Sequence, residues 1–352
     1  MKKVFLKGPI LSQSGYGHHT RTVFRALKTR PDLFDIYIQP IPWGMTGWLW
    51  KEDEERKEID FLLKKTIEYI NSEQENSDIL FDMSIQVTIP NEWEKIAPIN
   101  IGVTAGIETT AISPAWIEKS FIMDKIITIS KFSMDTFVNT AYYATNNHSG
   151  ETQEYKCTVP VEYVSYPVRK FEPKDIELDL TTDFNFLTVA QLSPRKNLQQ
   201  LIKCFIDRFG DNEKVGLVIK GNIAKNSLID RVNLLNNLKQ LISEHEDRKC
   251  KIYLLHGFLN DEEMTGLYTH PKIHAYVSTT HGEGFGLPLF EAAAHGLPIA
   301  ATDWSGHLDF LYKPVKQKSK KTKLKHMFER ISYQLKPIEE EAVWDGVLTK
   351  ES

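Results

Sequence analysis

Two hydrophobic rhythms alternate along the second half of the chain. Short apolar runs at 184–191, 215–220, 251–255, 273–277 and 298–301 have the length of buried strands. Between them lie segments whose apolar residues recur at helical spacing. One covers 198–209; another covers 227–244, where Leu228, Val232, Leu235, Leu238, Leu241 and Ile242 line one side. Asp261, Glu262 and Glu263 open a short helix, and 287–294 forms another. Strands alternating with helices imply parallel crossover units and a doubly wound sheet. Ligands of such sheets sit beyond the carboxyl ends of the strands. The segments 194–197, 221, 257 and 281–286 all follow strands, so they are expected at one rim.

The first half alternates less cleanly. Strands are expected at 4–6, 34–38, 79–85, 99–103, 125–129 and 159–164. Helices are expected at 18–29, just after Gly15-Tyr16-Gly17, and at 54–70 and 132–142, with a polar loop at 146–153. The charged, Pro-containing stretch 169–183 has little periodicity and reads as an interdomain linker. The expected division is an N-terminal Rossmann-like domain at 1–168, that linker, a C-terminal Rossmann-like domain at 184–312, and a tail at 313–352. The tail opens with a lysine-dense segment at 313–325, continues with a weakly alternating one at 328–335, and ends in a short mixed stretch at 339–352.

Composition narrows the class. A chain of 352 residues suits two ordinary domains. Its formal charge of −4 gives no overall pull toward nucleic acid or an anionic membrane. Cys157, Cys204 and Cys250 fit no metal spacing and read as reduced thiols, as in a cytoplasmic protein. The start, Met-Lys-Lys-Val-Phe-Leu-Lys-Gly-Pro, reads as a first strand rather than a signal segment. No apolar stretch approaches the ~20 residues of a membrane span.

The segment from His281 to Pro298 carries the chemistry. Glu283 and Glu291 flank seven residues that contain a glycine-rich turn and the start of a helix. Gly282, Gly284 and Gly286 free the backbone to approach a ligand, and Pro288 suits a first helical turn. The positive end of that helix favours an anion, while carboxylates accept hydroxyl protons. A phosphorylated sugar offers both groups.

These residues resemble a known family. Glu283-x7-Glu291 within Gly-Glu-Gly-Phe-Gly-Leu-Pro-x-x-Glu-Ala is similar to the signature of family 4 glycosyltransferases. Ser193-Pro-Arg-Lys-Asn197 resembles their donor-phosphate loop, Gly15-Tyr-Gly17 their N-terminal glycine loop, and 126–133 the end of their N-terminal sheet. The likeness spans roughly 3–311. It implies the α/β GT-B fold, two Rossmann-like domains facing across a cleft, and a retaining transfer from a nucleotide diphosphate sugar to an unknown hydroxyl acceptor. Glu283 is then implied to hold the transferred sugar, Glu291 the ribose, and Lys196, aided by Arg195, the leaving diphosphate. Gly15 and Gly17 would meet the same phosphates, Gly257 and Phe258 the base, and Gly284, Phe285, Gly286 and Leu287 the donor. Glu108 is a candidate contact to acceptor or sugar. Gln191 stands where the family often has an arginine. The family's long final helix has only a short counterpart here, ending soon after Trp344, which reads as a truncated tail.

No apolar-flanked Asp-x-Asp appears, so metal-independent transfer is expected, with the nucleotide sugar as co-substrate and no further cofactor. No Ser–His–Asp or Cys–His set is readable either. Attack on the face from which the phosphate leaves needs no protein nucleophile. His18, His19 and His281 are candidate cleft residues without a base-plus-nucleophile arrangement. Other readings stay open: a same-fold epimerase or phosphorylase, a non-catalytic nucleotide-sugar binder, or a glycosyltransferase acting on nucleic acid through the lysine run.

Overall fold

In the computed structural model the described residues are 1–73, 79–145, 150–316 and 322–350. The chain divides into two compact units. One is Met1–Tyr166 together with Pro337–Ser352; the other is Pro167–Lys336.

The first unit is built on a parallel sheet of six strands: β1 (Lys2–Gly8), β2 (Phe34–Pro40), β3 (Met83–Val87), β4 (Ile99–Thr104), β5 (Lys125–Thr128) and, after a hairpin of β6 (Ala141–Thr145) and β7 (Thr152–Lys156), β8 (Val161–Tyr163). The order across the sheet is β2-β1-β3-β4-β5-β8, so the direction of winding reverses at β1. The helices are α1 (Gly15–Lys28), α2 (Glu54–Glu73), α3 (Pro114–Ser120) and α4 (Lys131–Asn139). Ser14 caps α1 by accepting from the Gly17 N–H, and Arg25 and Lys28 in its last turn suit the negative end of the dipole. Phe24 and Leu27 of α1 pack with Val4, Leu6, Ile36, Ile38, Val87 and Val103.

The regular elements of the second unit begin at β9 (Phe184–Val189) and continue through α5 (Leu198–Phe209), β10 (Val215–Lys220), α6 (Leu228–Ile242), β11 (Lys251–Leu255), α7 (Asp261–Tyr268), β12 (Ala275–Ser278), α8 (Leu287–Ala294), β13 (Ile299–Thr302) and α9 (Leu308–Leu311). A hairpin of β14 (Tyr312–Lys316) and β15 (Thr322–His326) leads to β16 (Glu329–Ile331). The sheet order is β11-β10-β9-β12-β13-β16, all parallel, which places the winding reversal between β9 and β12. That gap is where a doubly wound sheet opens a crevice for a ligand.

Several elements differ from expectation. The helix expected at 132–142 ends at Asn139, and the following residues enter the β6–β7 hairpin, where Tyr142 donates to the Ile112 carbonyl at 2.7 Å. The strand expected at 79–85 starts at Met83; the preceding Phe81 turns into an aromatic cluster with Phe5 and Tyr37. The stretch 169–183 lies within the second unit, with Leu180 buried in its core. The lysine segment supplies both strands of the β14–β15 hairpin, apart from 317–321, which lie outside the described residues. The weak alternation near 328–335 becomes the edge strand β16, anchored by buried Phe328.

The end of the chain returns to the first unit. Val347 is buried among Trp93, Trp116 and Ile117, and the Gly346 carbonyl accepts from Asn91 and Ser113. Burying the Val347 side chain contributes about 1.5 kcal/mol to this contact.

Candidate functional site

Three loops meet at the reversal point of the second sheet. The first, after β9, makes a single 3-10 turn at Pro194–Lys196 and enters α5 through Asn197, whose φ of +50° is left-handed. The second, after β12, carries Glu283. Asn197 donates to the Thr279 carbonyl at 3.1 Å, and Thr279 returns a bond to the Asn197 carbonyl at 3.0 Å. The His281 N–H donates to the Arg195 carbonyl at 2.8 Å. These reciprocal bonds lace the two loops into one surface.

The third loop, after β13, grips Glu283 from behind. The Glu283 N–H donates to Ser305 Oγ at 2.8 Å, and the Gly306 N–H donates to the Glu283 carbonyl at 2.8 Å. Ser305 is buried and has a φ of +83°, a strained state for a residue with a Cβ. A Cβ at Gly306 would lie 2.0 Å from the Gly284 carbonyl oxygen, so only glycine permits this approach.

The Glu283 carboxylate sits between two cations. Lys196 Nζ donates to Oε1 at 2.5 Å, and Arg195 Nη1 reaches Oε2 at 3.1 Å while also bonding the Gly282 carbonyl at 2.8 Å. The Glu283 side chain is only 10% exposed and that of Lys196 only 15%. Burial raises the Glu283 pKa, but Lys196 and Arg195 outweigh it and hold the acid at about 2. His307, fully buried beside this pair, donates from Nε2 to the Thr302 carbonyl at 2.7 Å, and burial lowers its pKa, keeping it neutral. Its Nδ1 has no hydrogen-bond partner among the described residues.

Helix α8 starts at this surface. Gly286 occupies its N-cap at a φ of +88°, and no side chain among the described residues caps the helix, so the first turn presents backbone N–H groups to the loop. Phe285 turns inward against Phe290 and Phe310, each at 5.1 Å, and packs the loop. Leu287 is the first residue of α8. Glu291, one turn later, accepts from the Tyr268 hydroxyl at 2.8 Å. Burial is the main cause that pushes its pKa up to about 7, against the Tyr268 hydrogen bond. The two glutamates are thus opposed in character: one firmly ionised, the other poised near neutrality.

The remaining donor-side residues follow the rim. Gln191 is exposed and donates to the Ile223 carbonyl at 2.5 Å, joining the loops after β9 and β10. Gly257 has a φ of +118° and open space where a Cβ would stand; Phe258 beside it is 37% exposed. Lys220, at the end of β10, donates to the Gly257 carbonyl at 2.5 Å.

In the first unit, Gly15 and Gly17 do different work. A Cβ at Gly17 would lie 2.0 Å from the Ser12 carbonyl oxygen, and its N–H is taken by Ser14 Oγ at 3.0 Å. Gly15 is exposed, with open space around it. Tyr16 between them bonds Thr104 at 2.8 Å and accepts from the Ala105 N–H, tying this loop to the end of β4. Glu108 follows β4, half-buried, and its charge acts on Tyr16. His19 is buried and held neutral by burial, at about 3, while His18 lies half-buried against Tyr166, and His281 is exposed. Reading the sequence missed Ser305, His307 and Lys220; each becomes visible only through what it touches.

A family model described as Glycosyl transferases group 1 matches residues 170–319. The chain is 29% identical over 119 residues to a serotype-specific mannosyltransferase, WbdA, of Escherichia coli, covering 34% of this chain and 13% of that protein. It is 32% identical over 135 residues to a probable sucrose-phosphate synthase of Craterostigma plantagineum, covering 35% and 12%. The matched region therefore spans about an eighth of these curated relatives. Among solved structures, the sucrose-phosphate synthase of Thermosynechococcus elongatus superposes with a TM-score of 0.55 at 13% identity, over 88% of this chain and 83% of that one. The apo form of OtsA gives 0.53 at 11% identity, over 88% and 86%. Anabaena HepE, solved with UDP-glucose, gives 0.52 at 13%, over 88% and 82%.

Two Rossmann-like parallel sheets with these structural neighbours define a GT-B-type protein. Within that fold, residues 170–319 match the family model of the glycosyl transferases group 1.

Proposed function

We propose that this protein is a retaining glycosyltransferase that moves a sugar from a nucleotide diphosphate sugar to a hydroxyl acceptor without a divalent metal. The observation that carries this reading is the placement of Lys196 and Arg195 on Glu283 at the reversal point of the sheet, beside the start of α8. Two cations share one carboxylate there. A diphosphate competes with Glu283 for the cations, and sugar hydroxyls compete with the cations for Glu283. Donor binding thus exchanges one set of charge-assisted bonds for another.

The reaction then follows from charge. The bond between the anomeric carbon and the phosphate oxygen breaks, and negative charge grows on that oxygen. Lys196, Arg195 and the N–H groups at the helix start stabilise it more in the transition state than in the bound donor. The acceptor oxygen bonds the anomeric carbon on the same face, and its proton passes to the departing phosphate oxygen. Glu291 holds the ribose hydroxyls when ionised. Among the described residues no cluster of three or more His, Cys, Asp or Glu is arranged to hold a metal ion; the two cations fill that electrostatic role in this proposal.

The test is release of nucleoside diphosphate from UDP- and GDP-sugars by the full chain in the presence of EDTA, with the anomeric configuration of product followed by NMR. Turnover lost in Glu283→Ala and Lys196→Ala supports the reading. Binding of the donors without hydrolysis or transfer on a broad acceptor panel, or a product of inverted configuration, overturns it.

A further inference from the structure

Lys220 is a half-buried lysine with no role in the phosphate surface. It is the last residue of β10, in register with Leu255, which immediately precedes His256-Gly257-Phe258. Its ammonium leans toward β11 and donates to the Gly257 carbonyl at 2.5 Å. The surrounding rim is fixed. His256 Nε2 lies 2.8 Å from Asp230 Oδ1, and Asp230 accepts the N–H groups of Ile223, Ala224 and Lys225. Burial of the ammonium lowers its pKa to about 8, and among the described residues no carboxylate offsets that cost. Among the described residues the Gly257 carbonyl is its hydrogen-bond partner, which leaves donor capacity to offer, since an ammonium carries three protons and no acceptor.

Position decides what it meets. Neighbouring strands lie ~4.8 Å apart, so the gap between β10 and β11 is two spacings, ~10 Å, from the gap between β9 and β12 where Lys196 sits. That distance suits the span from a diphosphate to the base of the same nucleotide, and is too long for a second contact to the phosphates. Gly257 leaves its surface open, and Phe258 offers an aromatic ring beside it. A base lying there would present an edge to a donor, Lys220, next to an acceptor, the Gly257 carbonyl.

We propose that Lys220 selects the nucleobase of the donor by donating to an exocyclic oxygen, uracil O4 or guanine O6, with the neighbouring ring N–H donating to the Gly257 carbonyl. Cytosine and adenine carry an amino group at those positions, which an ammonium repels. This inference rests on the nucleotide-sugar reading above and adds the class of base.

Titration calorimetry of the full chain with UDP, CDP, GDP, ADP and inorganic pyrophosphate tests it. In the unaltered protein, exchanging the exocyclic amine for oxygen, CDP to UDP, or ADP to GDP with its added 2-amino group, is expected to tighten binding at least 10-fold in one of the two pairs. Lys220→Met is expected to reduce that ratio to below 3-fold and to change pyrophosphate affinity by less than 2-fold. Equal affinity within both pairs in the unaltered protein overturns the proposal without recourse to a variant. So does a Lys220→Met protein that keeps the ratio, or one that loses pyrophosphate and all nucleotides alike. If no nucleoside diphosphate binds at all, the proposed function itself fails, which is a different result from binding without base preference.

Discussion

Lys196 Nζ lies 2.5 Å from Glu283 Oε1, across 87 residues of chain, in a pair of which neither side chain is more than 15% exposed. Removing one member of a buried ion pair leaves the other charge without compensation, at a cost of roughly 3–5 kcal/mol when no second partner remains. Arg195 stays on Glu283, so Lys196→Met is expected to cost less, about 2 kcal/mol in denaturant unfolding. Turnover of the donor should fall by a factor on the order of 10²–10³, as on removal of a transition-state donor. Stability lost without any effect on turnover would mean the pair is structural only.

Glu283 gives an acid-side signature. Its pKa in the folded chain, about 2, is below the ordinary 4.5, so its contribution to stability is present above pH 4.5 and disappears as pH falls toward 2. The Tm of the unaltered protein should therefore fall more steeply between pH 6 and pH 3 than that of Glu283→Gln. Parallel curves would show that the carboxylate is not held by Lys196 and Arg195.

Glu291 has the opposite sign. Its folded pKa is raised to about 7, so between pH 4.5 and 7 the folded chain keeps a proton that the unfolded chain has lost, and stability declines as pH rises through that window. Glu291→Gln should remove the decline and stabilise the protein by roughly 1–3 kcal/mol at pH 8. If the ionised form grips ribose, the same variant should bind UDP or GDP at least 10-fold more weakly, while pyrophosphate affinity stays unchanged. Gain in stability with unchanged nucleotide affinity would remove Glu291 from the ribose site.

Ser305 separates strain from hydrogen bonding. Ser305→Ala keeps the left-handed backbone and leaves the buried Glu283 N–H without an acceptor, a loss of about 1–3 kcal/mol. Ser305→Gly loses the same bond but relieves roughly 1 kcal/mol of backbone strain. Glycine should therefore be the more stable of the two variants, with the order read from chemical denaturation. The reverse order would show that the positive φ is not costly here.

The two glycines before α1 are expected to part company. Gly17→Ala drives a Cβ into the Ser12 carbonyl and should lower the Tm by several degrees, whereas Gly15→Ala meets nothing. A loss of turnover in Gly15→Ala at unchanged Tm would place a ligand close to that backbone. No loss would leave the glycine loop a turn and nothing more.

Periodicity alone determined most of the strands and helices of the second unit, because β9, β10 and β13 are largely buried apolar runs with no competing pattern. The motif around Glu283 and Glu291 was legible for a related reason: glycines, proline and acids at fixed spacing constrain one local geometry, a turn leading into a helix. What the residues could not reveal were pairings across long separations. The lysine run gave no sign of becoming a hairpin, since its strands are stabilised by each other rather than by a buried face. The tail looked idle until Val347 found its pocket among Trp93 and Trp116. Nothing in Ser305, His307 or Lys220 as residue types distinguishes them from their neighbours. Their significance arises because a sheet that reverses its winding brings the ends of separate strands to one rim. Local composition sets which elements form; only the tertiary packing decides which side chains share a low-dielectric surface, and so which charges and hydrogen bonds carry free energy.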